Sequence, residues 1–329
     1  MRWMILAAPV FALALASPMA VSADGPVAHD SAPPTFQEWQ VWEVRTGRVI
    51  SVDELVAALS QLDVVYLGEE HHNHWHVEAA LRVLRKLSSQ GLRPALALEM
   101  FGWDGQAGLD RYLADKAWGR DFFLKEARWE QNWGGAFEDY EPLVAWARQQ
   151  DIQVLALNPP KSLVRLVAKQ GLAQAMTDSE MERWGMKGEA LADEPAYHDM
   201  IVKPLRQCHG GLSDDAYRRM YEASMFRDEG MAKTIAEALQ RRAAGVGFEV
   251  GRATGPIVSY TGGGHVQYRL PVPNRVVRRR GGAVGQATIY LTSFESGRAD
   301  ELRGLMRDGV ADYLWLTPLG AQGAPKRCR

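Results

Sequence analysis

Three continuous apolar runs, each separated from the next by helical segments, constrain the fold of this chain more than any other feature. The runs occupy 63–68, 94–101 and 152–157. Strands that alternate apolar and polar residues expose one face, whereas continuous apolar strands are typical of parallel sheets covered on both faces. Segments 53–60 and 74–90 carry apolar residues at helical spacing. The sequence therefore predicts an α/β fold, with a mostly parallel sheet flanked by helices.

After the third strand, the strand pattern disappears over a long stretch. Residues 162–245 lack a strand-like run, and 213–242 offers apolar side chains for one face of a long helix. We interpret 162–245 as an all-helical insertion that acts as a lid. Strands are predicted again at 256–260, 287–294 and 312–316.

The amino-terminal segment has the pattern of a cleaved signal peptide. Arg2 supplies positive charge, residues 4–16 form an apolar run too short to span a bilayer, and small residues precede the cleavage point predicted after Ala23. No cysteine near that point could accept a lipid. We therefore expect a periplasmic or secreted protein without a stable membrane anchor. The predicted divisions are a signal peptide at 1–23, a flexible lead-in at 24–38, a single domain at 39–320 and a tail at 321–329.

Composition excludes several functions. The formal net charge of −2 argues against a nucleic-acid-binding protein. A basic run, formed by Arg275 and residues 278–280, precedes two glycines and is interpreted as a solvated loop, with an anion contact as the alternative. The only two cysteines, Cys208 and Cys328, are too few for iron–sulfur or multi-thiolate zinc chemistry, and whether they pair is left open.

Polar residues stand at or near the ends of predicted strands. Glu69, Glu70 and His71 follow the first strand, Glu99 lies inside the second, and His265 follows three glycines after the fourth. In open parallel sheets, ligands bind outside the carboxyl ends of the strands. We therefore expect these side chains to converge on one ligand site.

The residue types at this edge favour either a metal site or buried ion pairs. Imidazoles and carboxylates together suit a divalent ion such as zinc, manganese or iron, and the candidate ligands are Glu69, His71, His76, Glu99 and His265. Glu69 or Glu70 could then act as general base on a metal-bound water, which would make the protein a metal-dependent hydrolase. The structural alternative for Glu99 is a salt bridge with an arginine, because a buried carboxylate is costly unless it is paired.

The motifs, taken together and in order, resemble a known family. They are Gly68-Glu69-Glu70-His71, Glu99-Met100-Phe101, Tyr140-Glu141-Pro142, Asn158-Pro159-Pro160, Asp228-Glu229-Gly230-Met231-Ala232 and Gly262-Gly263-Gly264-His265. This combination is similar to the ChaN family of bacterial haem-binding proteins, within a wider group that contains Tiki metalloproteases and erythromycin esterases. The resemblance covers roughly 50–275. It implies an exported protein of haem or iron acquisition, with haem held at the carboxyl ends of the strands and a possible homodimer.

The resemblance also implies ligands without identifying all of them. In the haem-binding branch, tyrosine and histidine contact haem, and the candidates here are His71, His265, Tyr197, Tyr260 and Tyr268. In the Tiki branch, a Gly-x-x-His pair with an acid binds a divalent metal, which corresponds here to His71, His265 and Glu99. Three interpretations remain open at this point: haem binding without turnover, metal-dependent hydrolysis, and an exported α/β protein whose polar strand ends bind an unrelated ligand.

Overall fold

Continuous apolar strands lie at the centre of the sheet. The computed structural model describes residues 35–245 and 253–323. In these residues the strands are β1 (Val41–Glu43), β2 (Arg48–Ile50), β3 (Val64–Glu69), β4 (Leu92–Gly102), β5 (Val154–Asn158), β6 (Ala253–Gly262), β7 (Gln286–Ser293) and β8 (Tyr313–Thr317). They form one sheet of order β2-β1-β8-β7-β3-β6-β4-β5. The strands from β8 to β5 are parallel, whereas β1 is antiparallel to both β2 and β8.

The six predicted strands correspond to β3–β8, and the predicted α/β class is confirmed. The sequence did not reveal β1 and β2, because each has only three residues and a strand that short gives no apolar run. Their antiparallel pairing makes the sheet mixed at this edge.

Helices cover the sheet and connect its strands. They are α1 (Val52–Leu59), α2 (His74–Ser89), α3 (Gln106–Ala114), α4 (Arg120–Glu126), α5 (Trp129–Asn132), α6 (Glu141–Gln149), α7 (Lys161–Gln170), α8 (Leu172–Ala175), α9 (Ser179–Arg183), α10 (Pro195–Cys208), α11 (Asp214–Ala243), α12 (Val272–Arg279) and α13 (Ala299–Arg307). The described residues between β5 and β6 contain no strand, in agreement with the predicted helical insertion.

The long helix α11 is part of the core. Met231 and Ile235 pack with Val64 and Tyr66 on one face of the sheet. On the opposite face, α2 contributes Leu84 and other apolar side chains to the largest apolar cluster. The sheet is therefore covered on both sides, and a lid function for the insertion stays a prediction.

The basic run predicted to be a solvated loop is mostly a helix with buried charge. Arg275, Arg278 and Arg279 belong to α12, and Arg275 is fully buried. The carboxylate of Glu229 on α11 forms ion pairs with all three guanidinium groups. The loop prediction was wrong because charge in sequence does not show whether an opposite charge lies inside the fold.

Several predictions concern residues that the structure does not describe. The signal peptide, most of the lead-in, Cys328 and most of the tail lie outside the described residues. The described residues from Phe36 onward form one compact unit. None of the described helices combines the length and apolar character needed to cross a membrane.

Candidate functional site

The end of β3 holds a carboxylate inside the protein. Glu69 is the last residue of β3 and is almost completely buried. The hydroxyls of Tyr140 and Tyr260 donate to its two oxygens at 3.1 and 2.8 Å. Nδ1 of His71 lies 2.6 Å from Glu69 Oε1, so Glu69 fixes the orientation of this imidazole.

A second buried carboxylate comes from β4, two strands away. Glu99 is fully buried, and its Oε2 accepts from the Gly262 amide at 2.6 Å. Its Oε1 forms an ion pair with Arg227 of α11 and lies 3.4 Å from His265 Nε2. The salt bridge considered from the sequence is therefore present, together with the predicted neighbour His265.

His265 lies between two acids. Its Nδ1 is 2.5 Å from Asp228 Oδ1, and the other Asp228 oxygen accepts from the Tyr197 hydroxyl at 2.6 Å. Both imidazole nitrogens of His265 therefore face carboxylates. The sequence did not single out Asp228 as a site residue, although it stands in one of the motifs that carry the family resemblance.

The pKa values follow from these contacts. Burial disfavours the charged form of Glu99, but the charges of Arg227 and His265 outweigh burial and hold its pKa well below the usual range. Burial lowers the pKa of His265, yet the charges of Glu99 and Asp228 raise it to about 9. Burial also lowers the pKa of His71. The hydrogen bond to Glu69 and the negative charge of Glu99 outweigh burial, so the pKa of His71 lies above its ordinary value. For Glu69, burial dominates and raises the pKa.

The position of the His71 ring requires a residue without a side chain at Gly262. A Cβ built on Gly262 would lie 2.9 Å from His71 Cε1 and 3.0 Å from Nε2. The backbone of Gly262 has a φ of −57°, which other residues adopt freely. The glycine run at the end of β6 thus allows the His71 ring to approach the backbone.

A cavity of about 460 Å³ opens over His71. Its wall is formed by His71, His72, Asn132, Trp133, Gly134, Gly135, Asn158, Pro159, Lys161, Val164 and Arg227. The volume lies within the range of small-molecule sites, roughly 300–1,000 Å³. The Trp133 ring stands edge-on to His71 at 5.0 Å between centroids, so an apolar surface lies next to the imidazole.

The wall of the cavity carries a second imidazole, that of His72. His72 Nδ1 lies 2.6 Å from Asp139 Oδ2, which orients the ring as Glu69 orients His71. The backbone of His72 has a φ of 65°, in the left-handed region that is uncommon for residues other than glycine. This turn directs the side chains of His71 and His72 to the same cavity.

Three candidate residues lie apart from this cluster. The Glu70 carboxylate bonds to Thr292 and Ser293 at the end of β7. His76 is fully buried, and its Nδ1 accepts from the Glu70 amide at 2.9 Å. Tyr268 lies in a short 3-10 turn, and its backbone amide donates to the Val310 carbonyl. It is absent from the cavity wall.

The five predicted metal ligands do not form a metal site. Among the described residues, no group of three or more histidine, cysteine, aspartate or glutamate side chains has such an arrangement. The Glu69 carboxylate already bonds to two tyrosine hydroxyls and to His71. The Glu99 carboxylate already pairs with Arg227 and accepts from the Gly262 amide. The Arg227 guanidinium would also repel a cation at Glu99.

The sheet order, the helical insertion and the strand-end cluster of paired imidazoles and carboxylates define an α/β ligand-binding domain. Residues 55–276 match the family described as haem-binding uptake, Tiki superfamily, ChaN, and the chain belongs to that family. The resemblance seen in the motifs is thereby confirmed.

Two solved structures and one relative illustrate the similarity. Campylobacter jejuni ChaN, whose structure shows cofacial haem binding, has a TM-score of 0.62 at 17% identity and covers 86% of this chain and 98% of its own. A mutant of the erythromycin esterase EreC, in its open conformation, has a TM-score of 0.44 at 14% identity, covering 79% and 77%. Protein RETICULATA-RELATED 5 of Arabidopsis thaliana is 24% identical over 77% of this chain. The matched region spans about a third (34%) of that relative's length.

Proposed function

We propose that this protein binds haem in the cavity over His71, with His71 Nε2 as the ligand of the iron. The observation that carries the proposal is the pairing of His71 with Glu69. Glu69 holds Nδ1, while Nε2 has no hydrogen-bond partner among the described residues. Histidines that bind metals typically use one ring nitrogen and bond the other to a carboxylate, which fixes the ring.

The other candidate haem ligands fit this role less well than His71 does. The hydroxyls of Tyr197 and Tyr260 donate to Asp228 and Glu69, and burial raises both tyrosine pKa values well above the usual range. Both phenols therefore keep their protons, whereas a tyrosine binds ferric haem as phenolate. His265 has a carboxylate at each nitrogen.

The wall of the cavity suits the body of a porphyrin. Trp133, Pro159 and Val164 present apolar surface beside the imidazole. Bound haem would supply an iron that accepts a nitrogen ligand, and this chain would contribute the oriented imidazole and a partly enclosed apolar wall. The family assignment supports haem as the ligand.

The biological role is proposed on the same basis. The family description, haem-binding uptake, supports a part in haem or iron acquisition. The signal-peptide pattern at 1–23 supports export to the periplasm or beyond. Cell fractionation tests the export, and sedimentation with and without hemin tests the homodimer considered from the sequence.

Hemin titration of the purified protein tests the central proposal. We expect a shifted Soret band in the wild type, and binding at least about tenfold weaker in His71→Ala because the ligand to iron is lost. His74→Ala is the matched control, since His74 is exposed and does not line the cavity. An unshifted spectrum in the wild type would reject haem binding, and an unchanged affinity and spectrum in His71→Ala would reject His71 as ligand.

A further inference from the structure

The wall of the cavity is basic, although the chain as a whole carries a formal net charge of −2. Lys161 and Arg227 contribute two cationic groups to the wall, and none of the described aspartates and glutamates lines it. The remaining polar side chains of the wall are imidazoles and amides. A ligand with negative charge would therefore meet attraction here and no carboxylate repulsion from the lining.

Lys161 lacks an acidic partner. It is the first residue of α7 and is half-buried, and its ammonium bonds weakly to the Trp133 carbonyl at 3.5 Å. No carboxylate of the described residues lies within ion-pair distance of it. Burial, together with the charges of Arg165 and Arg227, lowers the pKa of Lys161 below its ordinary value. An anion in the cavity would relieve this repulsion between cations.

Other lysines of the described chain differ from Lys161 in this respect. Each of the following has a carboxylate as ion-pair partner: Lys86, Lys116, Lys187, Lys203 and Lys233. These pairs lie outside the cavity wall. Lys125 and Lys169 have no such partner among the described residues either, but both are exposed to water. Lys161 is therefore distinguished by an unpaired charge that is half-buried in the cavity wall.

Arg227 is fixed by the protein and keeps donors for a ligand. Its Nε donates to Asn158 Oδ1 at 3.0 Å, and its Nη2 pairs with Glu99. Its Nη1 has no hydrogen-bond partner among the described residues. A guanidinium already held on one side loses little rotational freedom when its other side binds a carboxylate.

We propose that Lys161 and Arg227 bind carboxylate groups of the ligand, so that the site selects a ligand with an apolar body and acidic substituents. This inference rests on the proposed function, because haem carries two propionates on one edge of an apolar ring. The imidazole of His71 and the basic groups line the same cavity. The protein would then recognise the acidic edge of the porphyrin separately from the iron.

Comparison of hemin with hemin dimethyl ester tests the inference, in the same aqueous dimethyl sulfoxide. Esterification removes both negative charges and leaves the ring and iron unchanged. We expect the wild type to bind hemin about tenfold or more tightly than the diester, because hydrogen bonds between ionised groups are among the strong ones. We also expect added salt to weaken the binding of hemin more than that of the diester.

The variant Lys161→Met assigns the effect to the basic wall. It should weaken hemin binding about threefold to tenfold and change diester binding little, so that the preference for the acid shrinks. Lys169→Met is the control, because Lys169 lies on the same helix, is exposed and is not part of the wall. Arg227 is left unchanged because it also neutralises Glu99.

The outcomes separate the two proposals. Equal affinity for hemin and its diester, with Lys161→Met behaving as wild type, would overturn the inference and leave haem binding intact. Absence of a Soret shift with either compound would remove the proposed function and this inference with it. Equal weakening of both compounds by Lys161→Met would also contradict the inference, since it would indicate a loss of general packing.

Discussion

At the scale of single residues, three consecutive charges of α11 have three different partners. Arg227 pairs with Glu99, Asp228 bonds to His265 and Tyr197, and Glu229 pairs with arginines of α12. Successive residues of a helix point about 100° apart, so a run of three can reach three regions of the fold. Each of these charges is buried or half-buried, and each depends on its partner for stability.

Removal of the Glu229 charge should destabilise the protein strongly. Arg275 and Glu229 are both fully buried, with Arg275 Nε 3.1 Å from Glu229 Oε1. Glu229→Gln leaves the guanidinium buried without a counter-charge, and we expect a loss of about 3–5 kcal/mol in the free energy of unfolding. Urea unfolding followed by circular dichroism measures it.

The control for Glu229 lies two turns along the same helix. Glu237 is exposed and forms an i, i+4 pair at 2.8 Å with the half-buried Lys233, which also pairs with Glu189. Glu237→Gln should cost less than about 1 kcal/mol, because water screens the exposed Glu237 and Lys233 keeps Glu189 as its partner. Similar losses in the free energy of unfolding for the two variants would contradict the prediction that the buried Glu229 charge is needed for stability.

At the scale of elements, α11 approaches the loop between β5 and α7 closely. A Cβ added to Gly230 would lie 2.7 Å from Pro159 Cγ. This close contact holds Arg227 next to Asn158 and the cavity, because Arg227 lies one turn before Gly230 on α11. Glycine at this position therefore serves the approach of the helix to the loop, and not a special backbone conformation.

Gly230→Ala should separate α11 from this loop. Alanine is the better helix former, but the clash with a rigid proline outweighs that gain, and we expect a loss of about 1–3 kcal/mol together with weaker hemin binding. Gly304→Ala on α13 should instead stabilise by about 0.5–1 kcal/mol, since its Cβ would meet only the end of the Arg307 side chain at 3.7 Å. A stabilised Gly230→Ala variant would contradict this view of the contact.

At the scale of the whole molecule, the buried His76 links α2 to the edge of the sheet. Its Nδ1 accepts from the Glu70 amide, and the Glu70 carboxylate bonds to Thr292 and Ser293 of β7. Burial lowers the pKa of His76 to about 4, from 6.5 in an unstructured chain. The histidine therefore contributes stability above pH 6.5 that is lost as the pH falls, because the unfolded chain takes up the proton first.

We predict that this histidine causes a pH-dependent loss of stability in acid. Between about pH 6.5 and 4.5, the free energy of unfolding should fall by about 2–3 kcal/mol on this account. The raised pKa values of His71 and His265 act at higher pH, and the lowered pKa of Glu99 acts below this window. The raised pKa of Glu69 acts above pH 4.5 with the opposite sign, so the difference between wild type and His76→Gln isolates the histidine. Urea unfolding at several pH values measures the slope. His76→Gln should flatten it while His74→Gln should not, and an unchanged slope in His76→Gln would refute the prediction.

The sequence by itself determined the class of fold and the edge at which the ligand site lies. Continuous apolar runs require burial on both faces, and parallel strands place their carboxyl ends on one edge, so Glu69, His71, Glu99 and His265 were expected to meet there. They do meet. Such inferences succeed because burial leaves a local pattern in the chain.

Only the tertiary structure decided which charge faces which. Glu69 and Glu70 are neighbours in sequence, yet the first joins the cluster at the cavity and the second bonds to the end of β7. Lys161 and Arg227 line the cavity although 66 positions separate them in the chain. Ion pairs and hydrogen bonds depend on distances of a few ångströms between remote segments, and those distances exist only once the chain has folded.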